Sequence, residues 1–305
     1  MSATSSTLAT APERILRRLE WRVIRRLDGL FQGDYRTLFY GAGVDFADLR
    51  EYQPGDDIRH IDWNVTARMN YPYVRQFVED REVTAWFLLD LTRSMTFGPQ
   101  DRPKQSILLE YVAIFARLLT RGGNRTGAIL YNNGIVTTIP PGTGRNHVLR
   151  IVRDLMRAVD SRPPAAPGFT TKLSTLLDAG LNTLKRRSLV FVISDFISDP
   201  GWERPLARLY RRHELIPIRL WDPRETELPD VGLLVVEDVE SGEHLYVDTS
   251  DIGFRRRFAA EAQRRTEMLN ASIQRSGVDL FAISTEEDLT AAIMRMATLR
   301  KRRRQ

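Results

Sequence analysis

The feature that most narrows the fold is a pair of short apolar runs, Trp86-Phe87-Leu88-Leu89 and Leu189-Val190-Phe191-Val192-Ile193, with no polar residue alternating through them. A strand with one face in water alternates. A strand apolar on both faces must be covered on both, and helices on the two sides of a parallel sheet supply that cover. Neither run approaches the roughly 20 apolar residues of a membrane-spanning helix. Helical and strand-like segments trade places around both, so the chain is predicted to be an α/β protein with a doubly wound, mainly parallel sheet.

The periodicity gives the order of elements. Val83 to Leu89 is rich in β-forming residues, Lys104 to Thr120 has a helical period, and strands over Thr126 to Tyr131 and Ile135 to Ile139 pair through the Asn133-Gly134 turn. Helices are expected at about Arg145 to Val159 and Leu173 to Arg186, a strand at Leu189 to Ser194, a helix at Trp202 to Arg212 and a strand at Leu215 to Leu220. Leu233 to Val236 and Leu245 to Val247 read as a small hairpin or edge extension. A long helix over Phe254 to Ser276, a strand at Val278 to Ile283 and a closing helix from Glu286 to about Arg300 complete about six strands.

Upstream, residues 1 to 11 are Ser/Thr/Ala-rich and are expected to be disordered. Pro12 opens a helix with Ile15, Leu16, Leu19, Val23, Leu27 and Leu30 on one face and arginines on the other, and Gly33 ends it. The apolar stripe belongs on the protein body and the arginines in solvent. From Phe39 to Asp80 the period is lost, so loops and short strands are expected instead of helices. Tyr52 and Trp63 offer apolar surface to clamp this accessory segment onto the sheet. Six acidic side chains against two basic ones over residues 43 to 62 read as turn caps. The expected organisation is a disordered stretch 1–11, an N-terminal helix plus accessory segment 12–82, the main α/β domain 83–299 and a basic tail 300–305.

Composition excludes whole classes. The 305 residues are 42% apolar, enough for a substantial core, and contain no cysteine, which removes disulfides, thiolate zinc sites and cysteine nucleophiles together. With neither a signal-like start nor a spanning run, a cytoplasmic protein is expected. The four histidines lie far apart without metal-ligand spacing, and neither a Gly-x-Ser-x-Gly elbow nor a Gly-x4-Gly-Lys phosphate loop is present. Nothing here marks an enzyme. The net charge of +6 is concentrated: residues 253 to 305 hold twelve Lys/Arg against six Asp/Glu, so this arm accounts for the excess.

In open α/β sheets ligands gather at the carboxyl ends of strands, so the polar residues after each apolar run matter most. The first run ends in Asp90-Leu91-Thr92-Arg93-Ser94, the later one in Ser194-Asp195, and Gly168-Phe169-Thr170-Thr171 lies in a loop before a helix on the same side. Carboxylates and hydroxyls are hard oxygen donors suited to Mg²⁺ or Mn²⁺. The bland alternative is an Asp capping the next turn, with Thr92 and Ser94 bonding locally to backbone.

This pattern resembles the von Willebrand factor A-like domains, whose metal-ion-dependent adhesion site joins an Asp-x-Ser-x-Ser strand end to a Thr and an Asp from two other loops. The resemblance implies metal ligation by Asp90, Thr92, Ser94, Thr171 and Asp195, the hydroxyls directly and the Asp groups largely through water. Thr92 stands where Ser is commoner, and Phe169-Thr170 replaces a usual Gly pair, so Thr170 competes with Thr171. Arg93, inside the metal loop, is either solvated or turned outward toward an acidic partner. The stretch from Gly43 to Asn64, with Glu51-Tyr52-Gln53-Pro54-Gly55-Asp56-Asp57 and Ile61-Asp62-Trp63-Asn64, resembles the DUF58 signature. That likeness covers about Tyr35 to Ile283. It implies a bacterial or archaeal protein working with a MoxR-type AAA+ ATPase.

Together these readings predict a non-catalytic, Mg²⁺- or Mn²⁺-dependent protein-binding module, in which a partner's carboxylate completes the metal shell. A metal-dependent phosphoesterase is the first rival, since two carboxylates near a dication also position water, but these loops offer no evident lysine, histidine or third carboxylate as acid or base. The second rival is a nucleic-acid binder acting through the basic arm, which lacks interleaved aromatic residues. Peripheral membrane contact through the basic residues is a further possibility.

Overall fold

The computed structural model describes residues 11–25, 27, 49–54, 56–58, 61–69, 71–75, 83–99, 101–132, 134–161, 171–237 and 244–304. The stretch 1–11 expected to be disordered lies outside them except for Ala11, which opens the first helix, and most of the DUF58-like stretch before residue 49 also lies outside.

Helix α1 (Ala11–Leu19) continues into a π-helical turn, Glu20–Ile24. Strands β1 (Leu49–Glu51) and β2 (Tyr73–Arg75) pair antiparallel, with the short helix α2 (Trp63–Met69) between them. Then come β3 (Thr84–Asp90), α3 (Lys104–Arg121), β4 (Arg125–Asn132), β5 (Ile135–Gly142), α4 (Gly144–Asp160), α5 (Leu173–Thr183), β6 (Leu189–Ser194), α6 (Glu203–Arg212) and β7 (Glu214–Trp221). The antiparallel hairpin β8 (Leu233–Glu237) and β9 (His244–Asp248) precedes α7 (Ile252–Ser276), β10 (Phe281–Ser284) and α8 (Leu289–Arg304).

The main sheet has six strands in the order β10-β7-β6-β3-β4-β5, all parallel except the edge strand β5, as the unalternating apolar runs require. Because side chains alternate across a strand, each run feeds two cores. Phe87, Leu89, Phe191 and Ile193 pack with α1, α3, α4 and α8, and the Phe87 and Phe191 rings stack at 5.1 Å. Trp86, Leu88, Val190 and Val192 face the other way, onto α5 and α6 and onto Ile273 of α7. Gly180 permits this closeness, since a Cβ there would sit 2.6 Å from Leu88 Cδ2. The N-terminal stripe Leu16, Leu19, Val23, Ile24 and Leu27 joins the first core.

Three expectations change. Residues 63–69 form a helix where loops and short strands were predicted. Asp62 Oδ1 accepts from the Asn64 and Val65 backbone N–H groups at 3.0 and 3.2 Å, capping a turn too short to show a period. Trp63, expected to clamp the segment onto the sheet, is instead 69% exposed. The closing helix runs to Arg304 without breaking into a tail at 300, and Arg300 is ion-paired to Glu214 at the start of β7. As expected of turn caps, Asp56 Oδ2 accepts from the Gln53 N–H at 2.9 Å.

Candidate metal centre

The chain leaves β3 toward β4 on one side and returns as β6 on the other, with Leu89 in register with Ile193. The carboxyl ends of β3 and β6 therefore open a crevice at the point where strand order reverses, the usual ligand position in such sheets.

Asp90, the last residue of β3, is fully buried. Its Oδ1 accepts from the Thr92 N–H at 3.0 Å and the Thr92 hydroxyl at 2.6 Å, and its Oδ2 accepts from the Ser194 hydroxyl at 2.7 Å. The backbone then enters a 3₁₀ turn over Arg93–Thr96 that places the buried Ser94 Oγ 3.3 Å from Thr92 Oγ1. Arg93 is half-buried within that turn. Asp195 follows β6, buried, with Oδ1 accepting from the Ile197 N–H at 3.0 Å. The turn beyond it is forced through Phe196, a non-glycine residue at φ +60° whose ring packs edge-on against Trp202 and whose N–H donates to Ser194 Oγ at 2.9 Å. That conformation costs on the order of 1–2 kcal/mol and is held by the packing around it.

Thr171 is buried in the loop before α5 and is fixed to the same rim from two sides. Its carbonyl accepts from Ser198 Oγ and from the Asp199 N–H, both at 2.9 Å. The adjacent Lys172 N–H donates to the hydroxyl of Tyr131, the residue of β4 in register with Asp90. The competing Thr170 lies outside the described residues.

Sequence reasoning missed the other half of the centre. Lys104, the first residue of α3, is fully buried and donates to Asp195 Oδ2 at 2.8 Å and to Glu225 Oε1. Glu225 closes the turn after β7, where Asp222 accepts from the Arg224 N–H at 2.8 Å and from the Thr285 hydroxyl. The expectation that no lysine or third carboxylate reaches these loops is thus corrected: both come from segments remote in the chain. One signal was available. A lysine in the first turn of a helix opposes the helix dipole and asks for a specific counter-charge. Ser194 was signalled too, as the one polar residue closing the second apolar run.

The electrostatics are uneven. Burial pulls the Lys104 ammonium down, but the charges of Asp195 and Glu225 outweigh it and leave its pKa above the ordinary value. Burial likewise lowers Arg219, against the pull of Glu225 and Asp195. Lys104 and Arg219 therefore balance Asp195 and Glu225. Asp90 has no cationic partner among the described residues. Burial first and the Asp195 charge second push it from 3.8 to about 6, against its three hydrogen bonds. Burial, joined by the Asp90 charge, also raises the Tyr131 phenol.

An uncompensated buried carboxylate beside clustered hydroxyls fits a hard dication: the donors are of the right type and the local charge is of the right sign. Both oxygens of Asp195 are already engaged by Lys104 and by backbone, so Asp195 would act through water. Thr92 and Ser94, whose hydroxyls lie 3.3 Å apart, and Thr171 would supply neutral oxygens.

The fold is a doubly wound α/β sheet with hydroxyls and carboxylates gathered at its switch point, as the von Willebrand factor A-like resemblance implied. The chain belongs to the family described as "Protein of unknown function DUF58", whose pattern matches residues 48–268. Relatives include the uncharacterized protein Rv1480 of Mycobacterium tuberculosis, 37% identical over 94% of this chain and 89% of its own length. An uncharacterized protein of Mycobacterium avium is 32% identical over 55% of this chain and 96% of its own. Similar solved structures include the conserved hypothetical protein BatB from Bacteroides thetaiotaomicron, 12% identical with a TM-score of 0.43, covering 72% of this chain and 99% of that one. The SpRpn10 VWA domain is 10% identical with a TM-score of 0.36, covering 70% and 94%. No described helix is long and apolar enough to cross a membrane.

Proposed function

We propose that this protein is a non-catalytic, metal-dependent binding module. Asp90, Thr92, Ser94, Thr171 and Asp195 would hold Mg²⁺ or Mn²⁺, and an acidic side chain of a protein partner would supply the last ligand. The observation that carries this reading is Asp90, buried completely and left without a cation while the other two carboxylates of the centre have theirs. When bound, the dication supplies the positive charge this carboxylate lacks and an electrophilic coordination position. The protein's part is to hold the Thr92 hydroxyl in place with the Asp90 hydrogen bond, and Ser94 beside it, and to keep the ligand set mostly neutral.

The family resemblance points to a MoxR-type AAA+ ATPase as the partner and to the cytoplasm as the place of encounter. The test is co-purification of this chain with the MoxR-type ATPase of the same organism, in Mg²⁺ and in chelator, for the wild type and Asp90→Ala. Association lost in both perturbed arms is expected. Association indifferent to chelator and to the substitution would overturn the mechanism while leaving the fold untouched.

Lys104 and Glu225 restore to the phosphoesterase reading the acid and base it lacked, yet their setting speaks against it. Lys104 Nζ is sealed from solvent, paired to two carboxylates and held protonated, so it neither reaches a substrate nor takes up a proton near neutral pH. Glu225 is turned into that same ion pair.

A further inference from the structure

The edge of the sheet opposite the metal centre carries a second feature. Where β6 and β7 begin side by side, two turns of chain bring Lys185, Arg186 and Arg187 next to Arg208, Arg211 and Arg212, all exposed. The register proves their proximity: Leu189 pairs with Glu214, and the Glu214 N–H donates to the Ser188 carbonyl at 2.9 Å. His213, buried between the two turns, reports the same convergence: burial lowers its pKa, and the Arg212 and Arg187 charges lower it further. Glu214, the acidic residue at this point, is ion-paired to Arg300 of α8. Among the described residues no carboxylate pairs with any of the six cations. Helix dipoles account for a cation or two at the ends of α5 and α6, but not for six unpaired ones in one place.

We propose that this edge docks the protein on an anionic phospholipid surface. Unpaired cations on an exposed edge are attracted to acidic headgroups, roughly fivefold in affinity for each Lys or Arg near the bilayer. The flanking exposed side chains Tyr210 (45%) and Leu299 (42%) suit the depth of the headgroups, where an amphipathic ring and a short aliphatic chain partition well. A single-stranded nucleic acid would ask for aromatic residues interleaved with the charges, and Tyr210 stands alone; a duplex needs cations only, and the experiment below separates it from lipid. β6 and β7 are six and eight residues long, so the docking edge lies about 20 Å from the metal centre. A protein seated this way would present the centre away from the membrane, and the two activities can be tested independently.

The experiment is flotation of the purified full chain with vesicles of phosphatidylcholine alone and of phosphatidylcholine mixed with phosphatidylglycerol, at low and high salt. Binding only to the phosphatidylglycerol vesicles, weakened by salt, is expected. The pair Arg187→Glu and Arg211→Glu should lower it more than tenfold with an unchanged melting temperature, and Arg187→Lys with Arg211→Lys should keep it. Arg224→Glu, at the opposite end of β7, should bind as the wild type does. Binding that ignores the anionic lipid, an equal loss in Arg224→Glu, or tighter binding to a DNA duplex through the same arginines would overturn the proposal.

Discussion

Replacing Asp90 by asparagine should stabilise the metal-free protein, the reverse of what removing a buried hydrogen-bonded residue ordinarily does. The rise of its pKa from 3.8 to about 6 means that ionising it in place costs about 3 kcal/mol more than in the unfolded chain. Between these values the native state holds more protons than the unfolded state. Stability therefore falls as pH rises through that window, and the penalty is complete above it. Asparagine keeps an acceptor for Thr92 and gives Ser194 a donor to accept from, so the three contacts of Asp90 survive with the charge removed. At pH 8 in chelator, Asp90→Asn should melt about 5 °C above the wild type for a chain of this size. Metal should all but close that gap. At a concentration about a hundredfold over its Kd, Mg²⁺ or Mn²⁺ adds about 2.7 kcal/mol to the wild type and nothing to the variant. At pH 5, where a proton competes for Asp90, the wild-type gain should shrink to about half. Differential scanning fluorimetry across pH, with and without metal, reads all of this. An Asp90→Asn protein that melts at or below the wild type at pH 8 in chelator, or that keeps the metal response, refutes the reasoning.

Lys104→Met, which fills the same space without charge, should destabilise the protein by about 3–5 kcal/mol by stranding Asp195, as urea unfolding would show. Glu225→Gln should cost less, because its side chain is 15% exposed and leaves Lys104 one partner. Thr92→Val removes one hydroxyl bond to Asp90 at a cost of about 1 kcal/mol and should abolish the metal-induced melting shift, while circular dichroism stays unchanged. Incubated with a phosphoester panel and Mn²⁺, the wild type should show no turnover above Asp195→Ala; turnover abolished by that substitution would restore the enzymatic reading.

The sheet was legible because its central strands are apolar on both faces, a pattern with one structural answer. Every strand of the main sheet was anticipated, with bounds close to those observed apart from a late start at β10. The seven-residue α2 was not, being shorter than two full turns of period, although its Asp62 cap was visible as an acidic turn residue. In the centre, Asp90, Thr92, Ser94 and Asp195 could be found because topology alone sends the residue after each strand to one rim. Lys104 and Glu225 could not, since they lie 91 and 121 residues from the groups they meet and no local pattern encodes that distance. What the sequence did contain was a violated preference, a cation at a helix N-terminus, and such violations are where function or its support is to be sought.

That hidden lysine changes what the centre can do. With Lys104 seated on Asp195 and Arg219 within the field of Glu225, the four charges cancel and Asp90 alone contributes a net negative charge to the hydroxyl cluster. A site built from both carboxylates at full strength would hold a dication more tightly and leave it neutral, with little attraction for another anion. One effective carboxylate gives up some affinity for the ion and preserves its charge for the partner. Lys104→Met should therefore separate two quantities that rise together in most sites: metal affinity, measured by calorimetry, should increase, and metal-dependent capture of an acidic partner should weaken. A variant in which both fall together would mean that Lys104 serves only to hold α3 against the β7 turn.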